Sequence, residues 1–140
     1  MTRDARYLFL PNEAALPDLG MERPFVAFLI VRADVTTDWQ WAVSQWLVAS
    51  GCRSMAAWGK DCTTWDDAVD EANLVAHDWG DVPEDRAVMT SWHVDESLEE
   101  ACWFAKHTAF HPTLSLDRAL IVDIATEDRE AEALAMWTQA

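Results

Sequence analysis

The sequence predicts an α/β domain of doubly wound type: three layers, a mostly parallel sheet of about four strands, and helices on both faces. Three observations predict it. Strand-like and helix-like segments alternate in the order βαβαβαβα, the pattern of a parallel sheet covered on both sides. The run "FVAFLIV" at 25–31 is apolar on both faces, as a buried central strand is. The 140 residues, half of them apolar and 25% charged, suit one domain with one core.

The elements follow in order. Residues 1–23 form a leader with "RYLFL" (6–10) and two prolines, which adds an edge strand or lies across a helix. "PFVAFLIVRA" (24–33) is the first strand. A helix follows over 36–51, with Thr37 and Gln40 as a capping box and Gly51 as its stop. Trp39, Val43, Trp46, Leu47 and Ser50 form its inner stripe. "CRSMAAW" (52–58) is the second strand, weakened by its alanines. "TTWDDAVDEANLVAHDW" (63–79) is an amphipathic helix whose buried stripe runs from Trp65 through Ala68, Val69, Ala72, Val75 and Ala76 to Trp79. "DRAVMTSWH" (85–93) is the third strand. The helix over 97–110 opens with a Ser97–Glu100 capping box and ends at His111-Pro112. Its inner face, Leu98, Ala101, Cys102, Ala105 and Ala109, is mostly small and lets it approach the sheet closely. "DRALIVDI" (117–124) is the fourth strand, and a last helix covers 126–137. The organisation is one domain over 1–140: leader 1–23, α/β core 24–124, C-terminal helix 125–140.

The net charge of -15 repels nucleic acid and anionic membrane surfaces, so neither is an expected partner. It suits solvation, a cation or a basic protein. No apolar run is long enough to span a bilayer, and the N-terminus lacks the apolar core of a secretion signal. The expected location is therefore the cytoplasm, where Cys52, Cys62 and Cys102, odd in number and without CxxC spacing, stay reduced. Nine tryptophans exceed the need of one small core, so some should line a pocket or an interface.

Right-handed crossovers put every strand-to-helix loop at the carboxyl edge of the sheet, where ligands of such folds bind at the switch point of strand order. Those loops are "ADVTTDW" (33–39), "WGKDCTTWDD" (58–67), "SWHVDES" (91–97) and "DIATED" (123–128). Cys62 precedes a helix N-terminus that favours a thiolate, and Lys60 is two residues away. His93 is its candidate base, with Asp34 or Asp61 to orient the ring. The alternative for Cys62 is a packed loop cysteine beside Trp58. Trp58 and Trp92 both end strands there. Their rings form the walls of a slot for a flat or cationic ligand, with Lys60, Asp61 and Asp34 near its rim, or else they cap the core. A strand order 2-1-3-4 puts Asp34 and His93 in one crevice, and this is the expected order. The order 3-2-1-4 separates them and sets Asp34 facing Asp123.

Other signals are weaker. Asp66 and Asp67 read as first-turn acids complementing the helix dipole, or as a carboxylate pair. His107 and His111 have a ligand spacing that Pro112 breaks, so no metal and no cofactor is expected. HExxH, P-loop, GxGxxG and GxSxG sequences are absent.

The stretches "MAAWGKDCTTWDDAVDEAN" (55–73) and "VMTSWHVDESLEEACWFAKH" (88–107) resemble a family of small uncharacterised bacterial α/β domains with AWGxDC, WDD and TxWH segments. The resemblance covers about residues 24 to 124 and implies no activity.

Three function classes remain. The first is a binding or interaction domain without catalysis, whose ligand is a small molecule between Trp58 and Trp92 or a protein. The second is a hydrolase or transferase using Cys62 and His93. The third is an acidic decoy for a basic protein, which needs its acids gathered on one surface, whereas the sequence puts them on every helix. Trp41 and Val48, seven apart on the first helix, read as an outer apolar face that the leader or a homodimer partner covers, or that is simply left exposed.

Overall fold

Every residue of Phe25–Val31 is buried, because this strand has neighbours on both sides and helices above and below. In the computed structural model, which describes residues 3–140, it is the second of five strands. The elements are β1 (Asp4–Pro11), β2 (Phe25–Val31), α1 (Thr37–Ala49), β3 (Cys52–Gly59), α2 (Cys62–Val75), β4 (Met89–His93), α3 (Leu98–His107), β5 (Arg118–Ala125) and α4 (Glu130–Gln139). A short 3-10 turn at Glu84–Arg86 precedes β4.

The sheet order is β1-β5-β2-β3-β4, and every neighbouring pair is parallel. The α/β architecture is the expected one, with five strands rather than four because the leader supplies β1 beside β5. The expected order 2-1-3-4 of the four core strands is corrected to 3-2-1-4. Burial gives the reason. The two strands with long apolar runs, β2 and β5, lie side by side in the interior. The short, half-buried β4 takes an edge.

Chain direction across the sheet decides the layers. The path from β2 to β4 moves one way, so right-handed crossovers place α1 and α2 on one face, over Ala27 and Leu29. The return to β5 places α3 on the other face, where α4 joins it, over Val26, Phe28 and Ile30. Full burial of each such Leu, Ile or Phe contributes about 1.5–3 kcal/mol. Ala101 and Ala105 let α3 lie close to the strands, as their size predicts.

The leader has both roles the sequence left open. After β1 it crosses α1, where Trp39 Nε1 donates to Ala14 O and Trp46 Nε1 to Pro17 O, each at 2.8 Å. Arg3 donates to carbonyls at the end of α3, including Lys106 O at 2.8 Å, and Arg3 O accepts from Trp137 Nε1 of α4. Lys106 Nζ in turn donates to Trp137 O at 2.7 Å, near the end of α4.

Several local expectations shift. The α1 cap is Thr36 rather than Thr37, and its hydroxyl accepts from Trp39 N. Trp46 faces the leader, not the sheet. Trp41 is half-buried and lines the groove between α1 and α2, while Val48 is 7% exposed and packed in the core. Those two residues therefore point toward α2 and form no outer face, which removes the reason for covering them with a second subunit. Helix α2 stops at Val75, and Asp78 and Trp79 follow with positive φ, so Trp79 leaves the predicted stripe and is 61% exposed. Among the described residues no helix is long and apolar enough to cross a membrane.

Candidate functional site

Strand order reverses between β2 and β5, so the switch point lies over their carboxyl ends. Three of the chain's own side chains meet there. Asp123 on β5 is fully buried; its Oδ1 accepts from Arg32 Nε at 3.2 Å and its Oδ2 from Tyr7 Oη at 2.8 Å. Tyr7 Oη accepts from Arg129 N at 3.0 Å and so anchors the start of α4. Burial, with the nearby Asp123 and Asp128 charges, pushes the Tyr7 phenol above its ordinary value despite the backbone N–H it accepts, so it stays a donor.

Asp34 lies on the loop beyond β2 and pairs with Lys60 Nζ at 3.3 Å. Both side chains are more than half exposed, which makes the pair worth at most about 1 kcal/mol. Asp61 has φ +53 at the α2 cap position and makes no side-chain cap bond; its carbonyl accepts from Thr64 N and Trp65 N. Thr36 at the start of α1 is held by Glu13 of the leader, whose carboxylate accepts from Thr36 N and Oγ1.

His93 ends β4, two strands from β2, and takes different partners from those expected. Its Nδ1 is 2.9 Å from Glu96 Oε2 and its Nε2 is 3.0 Å from Ser91 Oγ. The ring packs under Phe104 of α3, with centroids 4.6 Å apart. Trp58 shares this face because β3 and β4 pair Trp58 with His93. It is half-buried, and its Nε1 donates to Glu96 O at 2.8 Å.

Cys62 belongs to the opposite layer, in the core under α1 and α2. The sheet therefore separates Cys62 from His93, and neither Asp34 nor Asp61 contacts the imidazole. The three free thiols are all buried. Burial pushes Cys52 up to about 12 and Cys102 up to about 11, which leaves both as poor nucleophiles. Trp92 pairs in register with Ala57, so alternation turns it to the α2 face, away from Trp58. The two tryptophans are not facing walls of one slot. His107 stacks on Trp103, while His111 bonds Ala87 O and the backbone N–H of Thr113 and Leu114; they do not meet as a ligand pair.

What does collect is charge. Residues 61–100 hold thirteen acidic residues against one basic residue, Arg86, and so carry -12 of the chain's -15. These forty residues are α2, the link to β4, β4 itself and the start of α3. Helix α2 packs on β3 and the edge strand β4, while α3 lies over β2 and β3 on the other face. Acids that look dispersed along the sequence thus belong largely to the elements around β3 and β4. Trp92 at 52% and Val94 at 49% exposure sit on or just after the edge strand. Sequence reasoning missed this because the signal needs the strand order; with β4 placed at an edge, a count of charges by element reveals it.

The second feature is on α2. The carboxylates of Asp66, Asp67 and Asp70 come within 4.8 Å of one another. The helix starts at Cys62, so none of them is in its first turn, and the dipole does not account for them.

Fold and site together define an open, parallel, doubly wound α/β domain with a side-chain network at its switch point and an acidic 61–100 segment that includes its β4 edge. The chain belongs to a family described as a domain of unknown function, DUF7684, whose model matches residues 5–140. That match takes in the leader strand and the C-terminal helix, beyond the 24–124 span of the resemblance. No curated protein and no solved structure matches the chain.

Proposed function

We propose that this domain is a non-catalytic interaction module that binds an extended, basic segment of a partner protein along the outer edge of β4. The observation that carries the reading is that the open edge strand β4 belongs to the 61–100 segment, whose net charge is -12. A strand at the end of a sheet presents unpaired N–H and C=O groups on which a sixth strand can add. The acidic surroundings favour Lys and Arg at alternate positions of that strand, and the exposed face of Trp92 suits a cation–π contact. This joins two of the expected classes, interaction domain and acceptor of a basic protein, and drops the tryptophan slot.

The test uses a labelled peptide of alternating arginine and valine, titrated into the full chain at physiological salt and followed by anisotropy. Trp92→Ala should weaken binding about tenfold, or 1.4 kcal/mol. Trp79→Ala, more exposed than Trp92 but off the strand, should change it less than about twofold. Equal losses in both variants, or no binding, would mean that the acids only guard the edge against aggregation.

A second reading rests on one observation. Ser91 Oγ, His93 Nε2, His93 Nδ1 and Glu96 Oε2 form a hydrogen-bonded chain with the connectivity of a serine-hydrolase triad. Here Ser91, not Cys62, is the nucleophile. Against it, the His93 side chain is 5% exposed, and the chain links residues of one strand and its following turn, as a structural clasp would. A fluorophosphonate reagent decides: labelling of Ser91 that disappears in His93→Gln supports a hydrolase, and unlabelled native protein excludes this one.

A further inference from the structure

The geometry points to a hard divalent cation held by Asp66, Asp67 and Asp70 on the outer part of α2 beside β4. The three carboxylate oxygens lie within 4.8 Å of one another. Two oxygens on opposite sides of a calcium ion are about 4.6–5.2 Å apart, so this spacing needs little rearrangement to close on an ion.

Exposed acids often cluster for no reason beyond solubility, but Asp66 is different. It is 6% exposed, and its Oδ1 is buried without a hydrogen-bond partner among the described residues. A buried carboxylate oxygen left bare carries its full desolvation penalty, and native proteins rarely tolerate one without an ion or a water. Its neighbours make matters worse. Asp70 is one helical turn from Asp66, and like charges at that spacing repel. A cation here offsets the repulsion and gives the buried Asp66 carboxylate the partner it lacks.

The donor set decides the class of ion. All three side chains offer oxygen only, which suits calcium, magnesium or manganese rather than zinc or copper. Thr90 Oγ1 on β4 donates to Asp70 Oδ1 at 2.7 Å and so fixes the orientation of that carboxylate. Water completes the coordination. With no backbone carbonyl assigned to the site, the affinity belongs at the weak end of the calcium range, about 0.1–1 mM. The inference does not rest on the peptide-binding reading, and its test contains no peptide.

Thermal melts and calorimetric titrations of the full chain, with CaCl2 and separately MgCl2 at constant ionic strength, provide the test. One saturable site is expected, with a melting temperature rising by about 3–6 °C when the ion is at ten times its dissociation constant. Asp66→Asn and the exposed Asp70→Asn should each lose the response while remaining folded. Asp34→Asn, on the exposed loop after β2 and outside the three-carboxylate group, should keep it. Saturation by either ion supports the site, and the two arms identify which ion it prefers. A response reproduced by NaCl alone, a response retained in both α2 variants, or no saturation with either ion at several millimolar overturns it.

Discussion

Asp123→Ala is expected to cost about 3–5 kcal/mol of stability, the range for breaking a buried ion pair from one side. Asp123 has no exposed surface and sits in the interior strand β5, between β1 and β2. Its loss strands the Arg32 guanidinium, whose side chain is only 27% exposed, and the Tyr7 hydroxyl together. Because Tyr7 also holds Arg129 N, the start of α4 should loosen as well. Asp123→Asn keeps the shape and can still accept from Tyr7, but it replaces an attractive charge facing Arg32. It should fall between the parent and the alanine variant. Urea midpoints of the three proteins measure this directly. An alanine variant as stable as the parent would mean that the network contributes nothing, and that the switch-point crevice is open to water and ligands rather than filled by the chain itself.

The fold was largely legible because its signals are local. Phe25–Val31 and Leu120–Ile124 are apolar at nearly every position, and only a doubly covered interior strand needs that. The Ser97–Glu100 capping box stands as read, with Glu100 N donating to Ser97 Oγ at 3.1 Å. Strand order was not legible from loops and caps, since both orders bury the same residues in each strand. Comparing strands with one another carries the missing information: β4 is short and only partly apolar, and such a strand fits an edge. Helix faces show the same limit. Spacing placed Trp41 and Val48 opposite the sheet-facing stripe, but α2 packs alongside α1 and covers a second face that periodicity alone does not reveal.

The site was less legible for a related reason. Cys62 and His93 do lie near the carboxyl edge, as their loops predicted, yet one faces the α1/α2 layer and the other the α3/α4 layer. A loop assignment gives the edge and not the face. Trp58 and Trp92 failed to meet for the same cause: alternation on paired strands sends them to opposite sides once Trp58 is in register with His93. Glu96 and Ser91, the partners His93 does have, were close in sequence all along. The spacing of two along a strand, Ser91 to His93, puts both side chains on one face and was the available signal.

Gly59→Ala is expected to prevent normal folding at the end of β3. Gly59 has φ +104, a conformation open to glycine and costly for any L side chain. Space is as severe a constraint as conformation. A Cβ on Gly59 would lie 2.2 Å from Val31 O and 3.0 Å from Val31 C, both backbone atoms of β2 that cannot swing aside. Moving Val31 would also break the bond from Lys60 N to Val31 O at 2.9 Å, which ties the start of the loop carrying Lys60 and Asp61 to the sheet. Backbone strain and overpacking together place the cost at about 2–6 kcal/mol. The upper part of that range equals the whole stability of many small domains. The matched control is Gly20→Ala, where φ is +60 but nothing lies within 4 Å of the added carbon, so only the conformational penalty applies. Circular dichroism melts of the two variants separate strain from collision. If Gly59→Ala melts within a few degrees of Gly20→Ala, the close approach of β3 to β2 at this point is wrong, and with it the path of the 58–61 loop over the carboxyl edge.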